Sequence, residues 1–248
     1  MITIERKTRR SGLTCSLLLV SVVILAFSYW IIPWLRTHFS RTPRVIAWIR
    51  NTNAHDDWIV RAGEKCAGAP FLLPTDGYIG FLWGDSFRLG HKHQGIDIFG
   101  GNEPGVTPVV AAYPGYLTRL PDWKSSLIIR IPQDPLQPER QIWIYYTHLA
   151  DANGESLISS DFPPDTEEKY VEAATLLGYQ GNYSGETGNP VGVHLHFSIV
   201  KDRGVSSKYP LGGFLNELDF QNTLDPSSYL GLSLNAMHNQ SEMVLCED

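Results

Sequence analysis

Five of the eight histidines fall in three short contexts: His91-Lys-His93-Gln-Gly-Ile-Asp97, Tyr146-Thr-His148-Leu and Gly192-Val-His194-Leu-His196-Phe. In a strand, residues i and i+2 face the same side, so His194 and His196 share a face, about 7 Å apart at Cα, while Leu195 and Phe197 face a core. His93 and Asp97 form a second arm. Four extended residues span roughly 13 Å, too far to chelate one ion, and Gly95 between them can bend the chain to bring both side chains inward. Imidazoles with a carboxylate suit a borderline cation such as zinc, at about 2.0–2.2 Å. Two His and one Asp leave a fourth tetrahedral position, which marks a catalytic rather than a closed site. The helical His-Glu-x-x-His signature is absent, so general-base duty falls to the spare imidazoles of His148 and His194. His91 reads as a solvated loop residue rather than a fourth ligand.

The elements that must position these groups read as strands. From Pro70 onward, short apolar runs (Ile96-Asp97-Ile98, Val106 to Ala112, Leu127 to Ile131, Ile142 to Tyr146, Val193 to Val200) alternate with Gly, Pro, Asn and Asp. This texture predicts a mainly β, antiparallel domain. Ser126–Ile131 and Gln141–Thr147 are expected to pair as a hairpin across the proline-rich stretch 132–140. Alternation puts His148 on a face with Ile144 and Tyr146, as a groove wall. The clearest helix candidate is Glu167 to Leu177.

At this point the sequence resembles the lysostaphin-type (LytM-like) zinc endopeptidases of bacterial cell walls, over roughly residues 70–230. His93-Gln-Gly-Ile-Asp97 is similar to the family's H-x-G-x-D motif, and Gly105-Val-Thr-Pro-Val-Val-Ala-Ala112 with Gly115 to the strand after it. Tyr146-Thr-His148-Leu resembles its Y-x-H-L motif, and Gly185-Glu-Thr-Gly188 through His194-Leu-His196-Phe its G-x-T-G…H-L-H-F motif. Asp225-Pro226 with Tyr229-Leu230 resembles the closing segment. The resemblance implies an antiparallel sheet of the duplicated-hybrid-motif type with an open groove. It implies one Zn²⁺ on His93, Asp97 and His196, with His148 and His194 catalytic, and hydrolysis of amides in peptidoglycan cross-links. Two departures, Asn189-Pro-Val-Gly-Val193 and the long segment Asp151 to Tyr170, are expected at the rim of the groove. A non-catalytic module that binds cell wall or activates a partner hydrolase is the alternative.

Leu13 to Leu35 carries no charge, and about 20 apolar residues cross a hydrocarbon core of roughly 30 Å. Arg6, Lys7, Arg9 and Arg10 precede it, Trp30 and Trp34 fall at an interfacial position, and Arg36, Arg41 and Arg44 follow. The expectation is a signal anchor with the bulk of the chain outside the cytoplasm; a cleaved signal peptide is the competing reading. The division is then a basic cytoplasmic segment 1–12, a transmembrane segment 13–35, a juxtamembrane tether 36–67, the peptidase domain 68–232 and a tail 233–248. Cys66 and Cys246 are candidates for a bridge from tail to domain entrance, with two free thiols the other possibility. Of the 248 residues, the first 35 carry four Lys/Arg against one acid (+3) and the remainder 16 against 25 (−9). An acidic soluble part is not built to neutralise phosphates, so general nucleic-acid binding is excluded as a function class.

Overall fold

The computed structural model describes residues 20–29, 41–85, 91–101, 103–203, 213–215, 217–233 and 244–246. The chain divides into two compact units, Met1–Ser40 and Arg41–Asp248. In the first, residues 20–29 are helical and expose Val22, Val23, Ile24, Leu25 and Phe27. Among the described residues no helix is long and apolar enough to cross a membrane. The rest of the expected span 13–35, and the basic segment 1–12, lie outside the described residues.

The second unit is built on antiparallel pairing. Its large sheet runs β1 (Ile59–Val60), β2 (Gly77–Phe81), β3 (Ile96–Phe99), β10 (Leu195–Lys201), β7 (Ile142–Thr147), β6 (Leu127–Ile131), β5 (Gly115–Arg119) and β8 (Thr166–Val171) in spatial order. The short β11 (Thr223–Leu224) also pairs with β10, and β4 (Pro108–Val110) pairs with β9 (Leu176–Tyr179) in a small second sheet. The expected hairpin is present, with Ile129 opposite Ile144 in the β6–β7 register. One face of the sheet supplies the main core through Ile96, Ile98, Ile142, Ile144, Tyr146, Leu195, Phe197 and Ile199, all buried. The alternate residues of the same three strands (Asp97, Thr147, His196 and Ser198) therefore emerge together on the other face.

Three expectations are corrected. Residues 167–177 are not helical: they form β8 and the start of β9. Glu168 pairs with Arg130 and Tyr170 lies opposite Tyr116, so the edge of β5 gains a strand partner. The weak helical pattern there loses to this tertiary pairing. Second, the segment expected to be a tether packs onto the domain. Helix Thr42–Arg50 buries Val45 and Trp48 against Tyr78 and Phe99, and Arg41 lies 3.7 Å from Asp85. Third, most of Asp151 to Tyr170 turns away from the groove: only its first residues touch the wall segment, where Gly188 N donates to the Ala152 carbonyl at 3.0 Å. The segment buries Phe162 in the main core and pairs Ile158 with Gly178 of β9.

The far end of the domain is pinned by polar contacts. Tyr229, in the short helix Ser227–Leu230, donates to Asp134 Oδ2 at 2.7 Å and accepts from Arg140 Nη2 at 2.7 Å. This ties the closing segment to the proline-rich loop 132–140. Cys66 and Cys246 form a disulfide, with their Cα atoms 5.1 Å apart.

Candidate metal centre and groove

β3, β10 and β7 are consecutive in the sheet, and their register sets Asp97 opposite His196 and His196 opposite Thr147. Two of the three expected ligands are therefore direct cross-strand neighbours, although 99 residues separate them. His93 arrives from the loop before β3, held by backbone hydrogen bonds from His93 N to Asp85 O and from Gly84 N to His93 O, both 2.8 Å. Gly95 does not bend the chain through a left-handed φ. It permits close approach instead: a Cβ there would lie 2.3 Å from the Phe197 carbonyl oxygen, so only glycine lets the loop press against β10.

The result is one tight group. His93 Nε2 lies 3.0 Å from Asp97 Oδ1 and 3.1 Å from His196 Nδ1, and His196 Nδ1 lies 2.8 Å from Asp97 Oδ1. All three residues are buried, and they form a group able to hold a metal ion. The outer ring nitrogens show what the inner ones offer. His93 Nδ1 donates to the Leu82 carbonyl at 3.0 Å, which leaves Nε2 of the neutral ring as a bare lone pair. His196 Nε2 faces Glu217 Oε2 at 3.3 Å, which likewise leaves Nδ1 as the acceptor in the neutral ring. Two lone pairs and a carboxylate oxygen thus converge with no donor between them, an arrangement that repels itself unless a cation sits in the middle. Donor atoms on a tetrahedral zinc at about 2.0–2.1 Å lie about 3.3 Å apart, close to the observed separations. The residues fit the ion.

Electrostatics carry the same demand. Burial opposes charge on His196, but Glu217 and Asp97 outweigh it and push its pKa up to about 10. Without a metal, a proton fills the gap. Burial also opposes charge on Asp97, and the surrounding imidazoles overcome it, holding the carboxyl well below its ordinary value.

The two remaining histidines sit beside this group, their ring centroids 4.3 Å apart. His194 Nδ1 donates to the Gly192 carbonyl at 2.6 Å and His148 Nδ1 to the Tyr183 carbonyl at 2.7 Å. Each neutral ring therefore keeps Nε2 as its acceptor, and His194 Nε2 lies 3.8 Å from Asp97 Oδ1. Burial lowers both pKa values, that of His148 to about 3 with help from neighbouring His194. His194 also stacks on Phe99, with centroids 5.0 Å apart and planes inclined by 24°.

The expectation that His148 shares a face with Ile144 and Tyr146 is corrected. Both of those side chains are in the core, where Tyr146 Oη accepts from Ala112 N at 2.9 Å. His148 leaves the strand at φ 71°, which breaks the alternation and turns it to the groove instead.

These groups line a groove of about 490 Å³, with Ser126, Tyr145, Thr147, Tyr183 and Val191 on its walls. Of the two expected rim segments, 189–193 contributes Val191 and 151–170 contributes no lining residue among those described. His91 lines the groove but stands outside the donor group. Sequence reasoning missed Glu217. Its neighbours Asn216 and Leu218 carry no motif, and only contact with His196 identifies it.

No protein-family model matches the sequence, and no curated protein matches it. Solved structures similar to it include lysostaphin from Staphylococcus simulans, 20% identical over 61% of this chain and 48% of its own, with a TM-score of 0.38. The catalytic domain of lysostaphin, crystallized in the absence of phosphate, is 18% identical over 62% of this chain and 90% of its own, at a TM-score of 0.37. The catalytic domain of the prophage-encoded protein EnpA from Enterococcus faecalis is 22% identical over 62% and 95%, at 0.33. This chain spans about half the length of whole lysostaphin, 48%.

Proposed function

We propose that this chain is a lysostaphin-type zinc endopeptidase that hydrolyses amide bonds in the peptide cross-links of peptidoglycan. We propose further that residues 13–35 hold it at a membrane with the domain outside the cytoplasm. The observation that carries the reading is the convergence of His93 Nε2, Asp97 Oδ1 and His196 Nδ1 on one point, beside two neutral imidazoles whose Nε2 atoms remain free to accept. A structural polar cluster needs no second pair of bases, and a wall-binding module needs no lone pairs aimed together. The disulfide supports an oxidising compartment, and the apolar surface of residues 20–29 supports the anchor.

His93, Asp97 and His196 would hold the ion, which would supply Lewis acidity toward a carbonyl oxygen and a water when bound. The chain's own contribution is proton handling. Amide hydrolysis joins a water oxygen to the carbonyl carbon and breaks the C–N bond, moving one proton from water to the departing amine. His148 and His194 can carry that proton because their Nδ1 atoms are committed to carbonyls and both rings stay neutral at neutral pH. Protonated in turn, either ring donates through Nε2 to a developing oxyanion or to the leaving nitrogen. Phe99 fixes the plane of the His194 ring for this work.

The test is to incubate the purified chain with purified peptidoglycan and read the products by mass spectrometry, with metal content measured on the same sample. Stoichiometric zinc and new amino termini are expected. A zinc-free protein that binds wall and releases no amino termini would overturn the enzyme and leave the binding module.

A further inference from the structure

The carboxylate of Glu217 stands on the far side of His196 from Asp97. Its Oε2 lies 3.3 Å from His196 Nε2 and accepts from Ser198 Oγ at 2.6 Å. Ser198 is fully buried and follows His196 by two residues on β10, so the two side chains share a face. The segment that brings Glu217 there is anchored on both sides of the site: Gln94 Nε2 donates to the Leu218 carbonyl at 3.3 Å, and Lys201 Nζ to the Gln221 carbonyl at 2.8 Å. A mere loop anchor has no need of a carboxylate, which is costly to desolvate unless a charge or strong donor answers it. The donor that answers it is the outer nitrogen of a ligand imidazole.

We propose that Glu217 is a positioning residue of the metal centre: clamped by Ser198, it accepts the Nε2 proton of His196 and so presents the Nδ1 lone pair of that ring to the ion. The proposal rests on the metal reading of the site given above. A ring without this partner can rotate or carry its proton on Nδ1, and either change removes one of three ligands. Outer-shell partners of this kind are worth about 10–100-fold in metal affinity.

The test uses the 248-residue chain and zinc itself. Zinc dissociation constants would be measured by competition with a chromophoric chelator for wild type, Glu217→Ala, Glu217→Gln, Ser198→Ala and His196→Ala. The visible bands of the cobalt(II)-substituted proteins would be recorded alongside. Expected is a loss of about 10–100-fold in affinity for Glu217→Ala. Glu217→Gln retains an acceptor and should fall between that and wild type, with Ser198→Ala a smaller loss in the same direction and an altered cobalt spectrum in each. A structural role alone would lower the melting point of the metal-free variants and leave affinity and cobalt bands as in wild type, which overturns the proposal. Loss of peptidoglycan cleavage with unchanged zinc affinity also overturns it, and makes Glu217 a proton carrier. Should Glu217→Ala not fold, the other two variants decide. A wild-type chain that takes up no zinc sinks the metal reading itself. Wild-type uptake abolished in His196→Ala but unchanged in the Glu217 and Ser198 variants sinks only this proposal.

Discussion

His194 and His196 are two residues apart on one face, yet hydrogen bonds at opposite ring positions separate their tasks. His194 is tied through Nδ1 to a carbonyl and turns Nε2 toward the groove, whereas His196 is held through Nε2 and turns Nδ1 toward Asp97. His194→Ala is therefore expected to keep stoichiometric zinc while peptidoglycan cleavage falls about 10²–10⁴-fold, the usual worth of a general acid or base. Equal loss of zinc in that variant would move His194 into the ligand set. His148 makes a pH prediction. Its folded pKa, about 3, lies below the ordinary 6.5, so the unfolded chain takes up the proton first as pH falls. The stability this residue contributes is complete above pH 6.5 and is lost progressively toward pH 3. Denaturant unfolding of metal-free protein across that window should show the slope, and His148→Gln should flatten it. His196 acts in the opposite sense. Its contribution in the metal-free chain is present below pH 6.5 and lost as pH rises through about 10. The donor set itself was legible in the residues, because His-x-His alternation and the His93–Asp97 spacing declare their chemistry by type. The carbonyls of Tyr183 and Gly192 were not: every residue carries a carbonyl, and only the fold says which ones meet a ring. Glu217 hid for a similar reason, as one carboxylate among 26 acidic residues until β10 places Ser198 and His196 under it.

Among the elements, the helix Thr42–Arg50 stands behind the site. Val45 and Trp48 pack with Tyr78 and Phe99, and Phe99 stacks on His194, so this helix buttresses the His194 ring from outside the motifs. Trp48 is 3% exposed. Replacing it with alanine is expected to cost about 3–5 kcal/mol, read as a lower denaturation midpoint with zinc still bound. An unchanged midpoint would show that the helix is no part of the folded unit. The sequence reads this stretch as part of a tether because the helix's partners Tyr78 and Phe99 belong to β2 and β3 and meet it only through tertiary packing. The same logic explains 167–177. Its local preference is weak, and the need of β5 for a neighbour outweighs it. The hairpin β6–β7 was readable because its β-branched runs are strong and its partner is near in sequence. His148 escaped simple alternation because a single backbone angle at the strand's end decides where its ring points.

For the molecule as a whole, β character could be read from texture, whereas the order that sets β10 between β3 and β7 could not, since it pairs His196 with Asp97, 99 residues away, and with Thr147 of a different motif. That order is what makes a centre out of three distant motifs. The disulfide acts at the same scale. It links residues 180 apart, and the chain-entropy account assigns such a loop up to about 5 kcal/mol of stabilisation. Reduction, or Cys66→Ser with Cys246→Ser, should lower the denaturant midpoint accordingly, and an unaltered midpoint would mean that the reduced, unfolded chain is already compact. A further consequence concerns cleavage of this protein by others. His93, Asp97, His148, His194 and His196 all lie inside the ring closed by Cys66 and Cys246, while Met1–Ser40 lies outside it. A single cut within the ring opens a circle without releasing a fragment, so both arms stay fastened to the N-terminal unit. On an electrophoresis gel the nicked protein would run near its full mass until a thiol is added and two bands part.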